Sequence, residues 1–414
     1  VNDKHDFKFN NWNPYLKFGA YGEYRTRAYT TRSFIYGELP ASMRYADMPE
    51  LLSDASNYGP DKLYLIEEVK WRNNYDGNNT LAAAYASVNI PFGKFNIYAG
   101  VRFEHDRMEL VSNTQDHQKS PTSTYYTFND FFPSVNATYR LSDKQQLRLA
   151  YGKSVNRPEF REVSSSVFYD FDLSGNIQGN PNLTACYVHN VDLRYELYPS
   201  KSELVSVALF YKNFQNPIEW TYTVAGGTDP IYSYKNAKGA YSYGVELDIK
   251  KSLDFIGVPD LSLVFNGALI KSKVNFDKGD QEKNRPMQGQ SPYIINTGLF
   301  YQNSRIGLSA ALLYNRIGKR IVGVGRSMGS VDDNVRIPDS YEMPRNAVDI
   351  NLSKKIGSHF ELKLSVKDLL GESVVFKQFE DGIRLNNGTV KNAEEVTRCY
   401  KPGRNYSLSV TYNF

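Results

Sequence analysis

An all-β chain, folded as a transmembrane antiparallel β-barrel, is what the sequence predicts, on three grounds. Apolar and polar residues alternate with a strict period of two in segment after segment, as a two-faced strand requires and a helix cannot use. Short and long connections between these segments also alternate along the whole chain, the habit of barrels with tight turns at one end and long loops at the other. Finally, 32 Tyr and 23 Phe coexist with a mean hydropathy of −0.52. That fits a wall with one apolar face, aromatic belts and water-borne loops.

The clearest segment is the last. From Asn405, the residues Tyr406, Leu408, Val410, Tyr412 and Phe414 fall on one face, and Asn405, Ser407, Ser409, Thr411 and Asn413 on the other. A terminal Phe closing such a run resembles the assembly signal of bacterial outer-membrane barrels. Earlier, Phe95, Ile97, Ala99, Val101 and Phe103 alternate with Asn96, Tyr98, Gly100, Arg102 and Glu104. Leu147 and Leu149 alternate with Gln146 and Arg148; Val191, Leu193 and Tyr195 with Asp192, Arg194 and Glu196; Val245 and Leu247 with Glu246 and Asp248; Leu362 and Leu364 with Lys363 and Ser365. Counted this way, about fourteen strands are expected, near 15–34, 72–90, 95–112, 124–141, 145–156, 185–198, 203–221, 232–252, 260–274, 292–302, 305–323, 342–355, 359–376 and 399–414, an even number as single-chain barrels require. Long loops are expected near 35–71, 113–123, 157–184, 222–231, 275–291, 324–341 and 377–398. The charged alternate positions, Arg102, Glu104, Arg140, Arg148, Asp192, Arg194, Glu196, Asp248 and Lys363, belong on the lumen face. On the lipid face such charges would cost up to about 2–4 kcal/mol each at mid-bilayer, Arg and Lys the most.

Composition removes other classes. With 49 basic and 45 acidic residues, net +4, nothing pulls the chain towards nucleic acid. Two Cys rule out a disulfide scaffold, and no run of about 18 apolar residues provides a transmembrane helix. The chain opens Val1-Asn2-Asp3-Lys4-His5 with neither a basic nor an apolar leader, so a signal peptide is expected to have been removed, or the chain to be part of a longer one.

A set of motifs carries a family resemblance. Ala99-Gly100-Val101-Arg102-Phe103-Glu104 is followed by Tyr139 to Phe160, which ends Asn156-Arg157-Pro158-Glu159-Phe160. Then come Gly179-Asn180-Pro181-Asn182-Leu183, Tyr243-Gly244-Val245-Glu246-Leu247, Gly289-Gln290-Ser291-Pro292-Tyr293, Val366-Lys367-Asp368-Leu369-Leu370 and Lys401-Pro402-Gly403-Arg404. In this order they resemble the barrel of a TonB-dependent receptor of the kind common in Bacteroidetes. The resemblance implies a 22-stranded barrel around an N-terminal plug, preceded by a TonB box. Residues 1–414 would then be one partial barrel domain, its C-terminal strands, with no plug in this chain; the remainder is expected elsewhere, because unpaired sheet edges are not tolerated in a bilayer.

The implied function is active uptake of a scarce nutrient (siderophore, haem, cobalamin, peptide or oligosaccharide) across the bacterial outer membrane. The implied partners are outer-membrane lipid, the TonB complex through the missing N-terminal region, the barrel assembly machinery through the Phe414 strand, and the nutrient itself. The alternatives are a passive porin-like channel of about fourteen strands, for which the Tyr15 and Phe414 strands would pair directly, and, behind it, an outer-membrane enzyme.

Candidate chemistry is sparse. The five His form no metal-ligand spacing and no nucleophile motif accompanies His105 or His189, so no catalytic residue, metal or cofactor is assigned. Asp332, Asp333 and Asp339 read as a solvated acidic loop, and Cys186 and Cys399 as two free thiols near the outer rim. Ligand contact is expected from loop aromatics, Phe168, Tyr169 and Phe171 in one loop and Trp220 and Tyr222 at the next, with loop-against-loop packing as the competing role.

Overall fold

The computed structural model describes all residues except 9–11, 38–40, 42, 44–46, 60, 172–174, 225–229, 278, 279, 281, 328–335 and 385–389. Fifteen strands form one antiparallel sheet in unbroken sequence order. They are β1 (Asn2–Asp6), β2 (Tyr15–Tyr29), β3 (Tyr75–Phe92), β4 (Phe95–Asn113), β5 (Pro121–Ser142), β6 (Gln145–Asn156), β7 (Cys186–Leu197), β8 (Leu204–Gln215), β9 (Gly239–Ser252), β10 (Leu261–Asn275), β11 (Tyr293–Asn303), β12 (Leu308–Ile317), β13 (Arg345–Ile356), β14 (Phe360–Lys367) and β15 (Asn405–Tyr412).

Fourteen of these coincide with the expected segments. The addition is β1, whose residues Asn-Asp-Lys-His-Asp offer no apolar face; pairing with Tyr15–Gly19 of β2 alone makes it a strand. The Tyr15 strand therefore has β1 and β3 as neighbours and β15 pairs with β14; among the described residues no pairing joins β1 to β15.

The two ends of the sheet differ as expected. At one end the turns are tight. Phe92 faces Phe95 across Gly93-Lys94, and Gly93 takes φ 56°, which a two-residue hairpin demands and glycine allows without strain. Aromatic pairs border this end: Phe95 with Tyr139 at 4.5 Å, Phe360 with Tyr412 at 4.9 Å, and Tyr412 with Phe414 at 5.1 Å between ring centroids. At the other end β5 runs for 22 residues and β4 for 19, about twice what crossing a bilayer takes, so the paired wall continues above the membrane.

Alternation sorts the faces. Val191, Leu193, Val207, Leu209 and Leu364 lie exposed on the outer, lipid face. On the inner face charges are paired, within one strand for Arg102 with Glu104 (2.6 Å) and Lys363 with Glu361 (3.2 Å), and between strands for Arg148 with Glu196 (3.2 Å) and Arg194 with Asp248 (3.2 Å). Pairing of this kind is how a lumen keeps charges without stranding them.

Candidate ligand-recognition site

Above the wall, the long connections carry order that alternation does not reveal. Two smaller four-stranded sheets form there. One joins 167–170, 175–178, 230–236 and 218–224, from the loops after β6 and β8. The other joins 320–323, 340–342, 374–384 and 390–400, from the loops after β12 and β14.

The first loop sheet folds inward. Met108 and Leu110 share a face with Glu104 and Asp106, the lumen face, and with Tyr75 they pack against Phe160, Val163, Ile177, Leu183 and Tyr234 in one buried cluster. The motif Asn156-Arg157-Pro158-Glu159-Phe160 makes this junction. Arg157 leaves β6 and bonds Glu104 at 2.8 Å on β4 and Asp130 at 3.0 Å on β5, with Asp106 at 3.9 Å. Pro158 stops the strand, Glu159 and Glu162 form a capping box for the turn 160–163, and Phe160 drops onto Gly77, where a Cβ would sit 2.6 Å from its ring. Gly179 serves the same loop, because a Cβ there would meet the Ser164 carbonyl oxygen at 2.2 Å. Asn180 then donates to the Tyr234 carbonyl at 2.9 Å and ties the two loops together.

A third loop clamps the pair. Arg285, between β10 and β11, donates to Glu219 Oε2 at 2.9 Å, with both side chains almost fully buried. Burial pushes the Glu219 carboxyl up from its usual range, and Arg285 offsets only part of that rise. Beside it Lys235 meets Asp280 at 2.5 Å and Glu282 at 3.4 Å. Burial lowers this ammonium's pKa, but the two carboxylates outweigh that and raise it. The same loop reaches the second sheet, where Gly289 N–H donates to the Ile321 carbonyl at 2.9 Å and Gln288 to the Val322 carbonyl at 3.0 Å.

The five aromatic candidates separate in this frame. Phe168 is half-buried against the cluster, with the Arg161 guanidinium 3.2 Å from its ring centroid. Trp220 is half-buried too; its ring lies 4.7 Å from that of Tyr234, and it also touches Ile321 and Val324 of the next loop group. Tyr169 and Phe171 stay exposed, at 50% and 87%, as an edge-to-face pair with centroids 5.1 Å apart. Tyr222 lies on the strand 218–224, but its side chain falls outside the described residues. Asp332 and Asp333 fall outside them as well, whereas Asp339 is buried and accepts the Gly325 N–H at 2.6 Å. Cys186 is buried and Cys399 exposed, both free.

Arg285, Asp280 and Glu282 carry no sequence signal beyond charge inside the expected loop 275–291, which equally describes solvated side chains, and Glu219 and Lys235 fall inside the expected strands 203–221 and 232–252, where alternation says nothing of their burial.

Taken together, these features define a bacterial outer-membrane β-barrel with inward-folded loops. A family model described as "TonB dependent receptor-like, beta-barrel" matches residues 2–369, and the chain belongs to that family. The matched range stops short of β15, which nonetheless completes the sheet. Solved structures agree in fold. The ferric citrate transporter FecA in its unliganded form aligns with a TM-score of 0.64 at 13% identity, over 100% of this chain and 53% of that one. The ferric-catecholate import receptor Fiu from K12 E. coli gives 0.61 at 14%, over 100% and 54%. The siderophore receptor PiuA from Acinetobacter baumannii gives 0.61 at 11%, over 99% and 55%. The chain thus spans about half the length of these structures. No curated protein sequence matches it significantly.

Proposed function

We propose that this chain is the greater part of the barrel of an active uptake receptor for a scarce nutrient, energised by TonB acting on a plug carried by the remainder of the protein. Residues 1–414 act as one barrel domain, of the 22 strands typical of the family when whole. The observation that carries this reading is the inward fold of the first loop sheet onto the lumen face at Tyr75, Met108 and Leu110. A receptor needs structured loops over its lumen to shape a site.

Ligand contact falls to Tyr169 and Phe171, whose exposed edge-to-face rings suit the flat face of an aromatic chelator, a haem or a sugar. Phe168 and Trp220 support them half-buried on the same loop sheet, and Tyr222, on its strand 218–224, is a further candidate contact. Two of the similar structures are a ferric-catecholate receptor and a ferric citrate transporter, so these two iron complexes lead the order of ligands to try. Outer-membrane lipid surrounds the wall, and the Phe414 strand engages the assembly machinery.

Against the enzyme alternative, His105 bonds Asn129 Oδ1 at 2.8 Å and His189 bonds the Tyr151 hydroxyl at 3.0 Å, neither of them a nucleophile–base pair. The test is uptake of radiolabelled ferric catecholate, ferric citrate, haem, cobalamin and an oligosaccharide by cells with and without the receptor and with and without TonB. Saturable, TonB-dependent accumulation of one of them is expected. Accumulation that ignores TonB, or a steady ion current through the purified protein in bilayers, sinks the proposal.

A further inference from the structure

The two halves of the inner wall are built differently. On β4, β6, β7 and β9 the lumen face carries charged side chains bound into ion pairs, Arg102, Arg148 and Arg194 among them. From β10 to β15 the facing residues are mostly uncharged, and from β12 to β15 many are small: Ser309, Ala311, Ala347, Ser353, Ser407 and Ser409. The register sets them in level rows. Gly298 lies beside Leu313 and Asp349; Phe300 beside Ala311, Asn351, Ser365 and Ser407; and Gln302 beside Ser309, Ser353, Lys363 and Ser409.

Missing side-chain volume turns this strip into a groove. Two hollows follow one another down it, of about 310 Å³ around Asn296, Asn315 and Ala347 and about 480 Å³ around Ala311, Asn351 and Ser409. Both are lined by Phe300, so they abut. Together they run from mid-wall to the tight-turn end at Asn303. The few charges are spoken for: Lys363 pairs with Glu361 at 3.2 Å, and Asp349 accepts the Asp368 N–H at 2.8 Å. At the head of the groove the amides relay. Asn315 donates to Asn296 at 2.6 Å, Asn296 to Asn266 at 3.4 Å, and Asn266 to Asp248, which joins the strip to the ion-paired half.

We propose that this groove is the track by which the transported solute descends the lumen, and that it suits groups presenting neutral hydroxyls, amides or bound water. The inference rests on the uptake reading above. Rows of hydroxyl and amide groups offer many exchangeable hydrogen bonds of similar strength. A solute can then be handed from row to row without a trap, the condition for passage. The opposite half is unsuited, because displacing a partner from a paired charge strands the other. A polypeptide seated permanently in the lumen belongs against that half.

Thiol labelling of the full-length receptor in a Cys399→Ser background tests this, with N-ethylmaleimide as the probe. Ala311→Cys reports on the groove and Ala150→Cys, also half-buried, on the ion-paired half. Ala347→Cys stands in should A311C fail to assemble as a heat-modifiable barrel. A groove open to solutes reacts at A311C at least about tenfold faster than at A150C, since reactivity follows access. Equal rates, or a slower groove thiol, overturn the track and make the groove a seat for polypeptide. Fast reaction at both sites together with steady ion current in bilayers instead removes the uptake reading, a result distinguishable from failure of the track alone.

Discussion

The barrel wall and the loop layer above it answer to different physics, although the same strands run into both. In the wall every residue has a fixed face. Lipid takes Leu193 and Leu209, the lumen takes Arg194 and Asp248, and the backbone ladder accounts for nearly everything else. In the loop layer, cohesion comes from side chains that meet across long separations in sequence. Glu219 finds Arg285 over 66 residues, and Trp220 packs on Ile321 and Val324. A wall held by its ladder spreads the cost of a change over many bonds. A layer held by a few buried contacts concentrates that cost in single residues.

The largest effect that would sharpen this contrast is at the clamp. Arg285→Ala leaves Glu219 buried and unpaired, which costs about 3–5 kcal/mol. Hydrogen exchange over 218–236 is expected to rise sharply while heat-modifiable mobility, a property of the wall, stays unchanged. If the barrel fails with it, the two regions are not separable.

In the wall itself, Leu209→Arg places a charge in lipid and is expected to lower folding stability in bilayers by about 2–4 kcal/mol. No loss would mean that Leu209 does not face lipid. Trp220→Ala should cost about 2 kcal/mol, less than a fully buried tryptophan because it is only half-buried. Its distinctive outcome is loosening of both loop sheets, read as faster proteolysis in 167–178 and in 320–342; a response confined to one sheet would show that Trp220 does not join them.

Two smaller effects follow. Asn346 donates to Glu372 through its side chain at 2.9 Å and its backbone N–H at 2.7 Å, and these bonds hold that carboxyl below its usual range. A carboxylate depressed in the folded state contributes stability above its unfolded pKa and loses it as pH falls through the folded one. Exchange in 368–373 should therefore quicken on acidification below the normal glutamate range, and Glu372→Gln should flatten that dependence. Smallest in stability are Tyr169→Ala and Phe171→Ala, expected within about 0.5 kcal/mol of the parent because both rings are exposed. Their test is functional: surface binding of the ligand identified by uptake falls in both, and unchanged binding removes these rings from the site.

The aromatic candidates mark the limit of reading loops from sequence. Phe168, Tyr169 and Phe171 sit within four positions, yet one lies under Arg161 and the other two stand in solvent. Nothing local separates them, because the difference is made by Phe160, Ile177 and Tyr234 arriving from elsewhere. Arg157 was visible as part of a motif, but its partners Glu104 and Asp130 lie on two other strands, 53 and 27 residues away. The strand β1 was invisible for the opposite reason: its polar residues carry no pattern and gain one only by pairing with β2.

The fourteen patterned strands, their order, their two faces and the end on which the long loops sit were written in the chain. A residue spacing of two and the demand that a bilayer admit no unpaired backbone leave few other solutions. The pairing of loop sheets from distant connections, the buried Glu219–Arg285 clamp and the division of the lumen into an ion-paired half and a recessed hydroxyl-lined half were decided only by the tertiary structure. Each depends on which strands stand beside one another and at what height, and a register summed over fifteen strands is a property of the whole set of pairings, not of any segment in it.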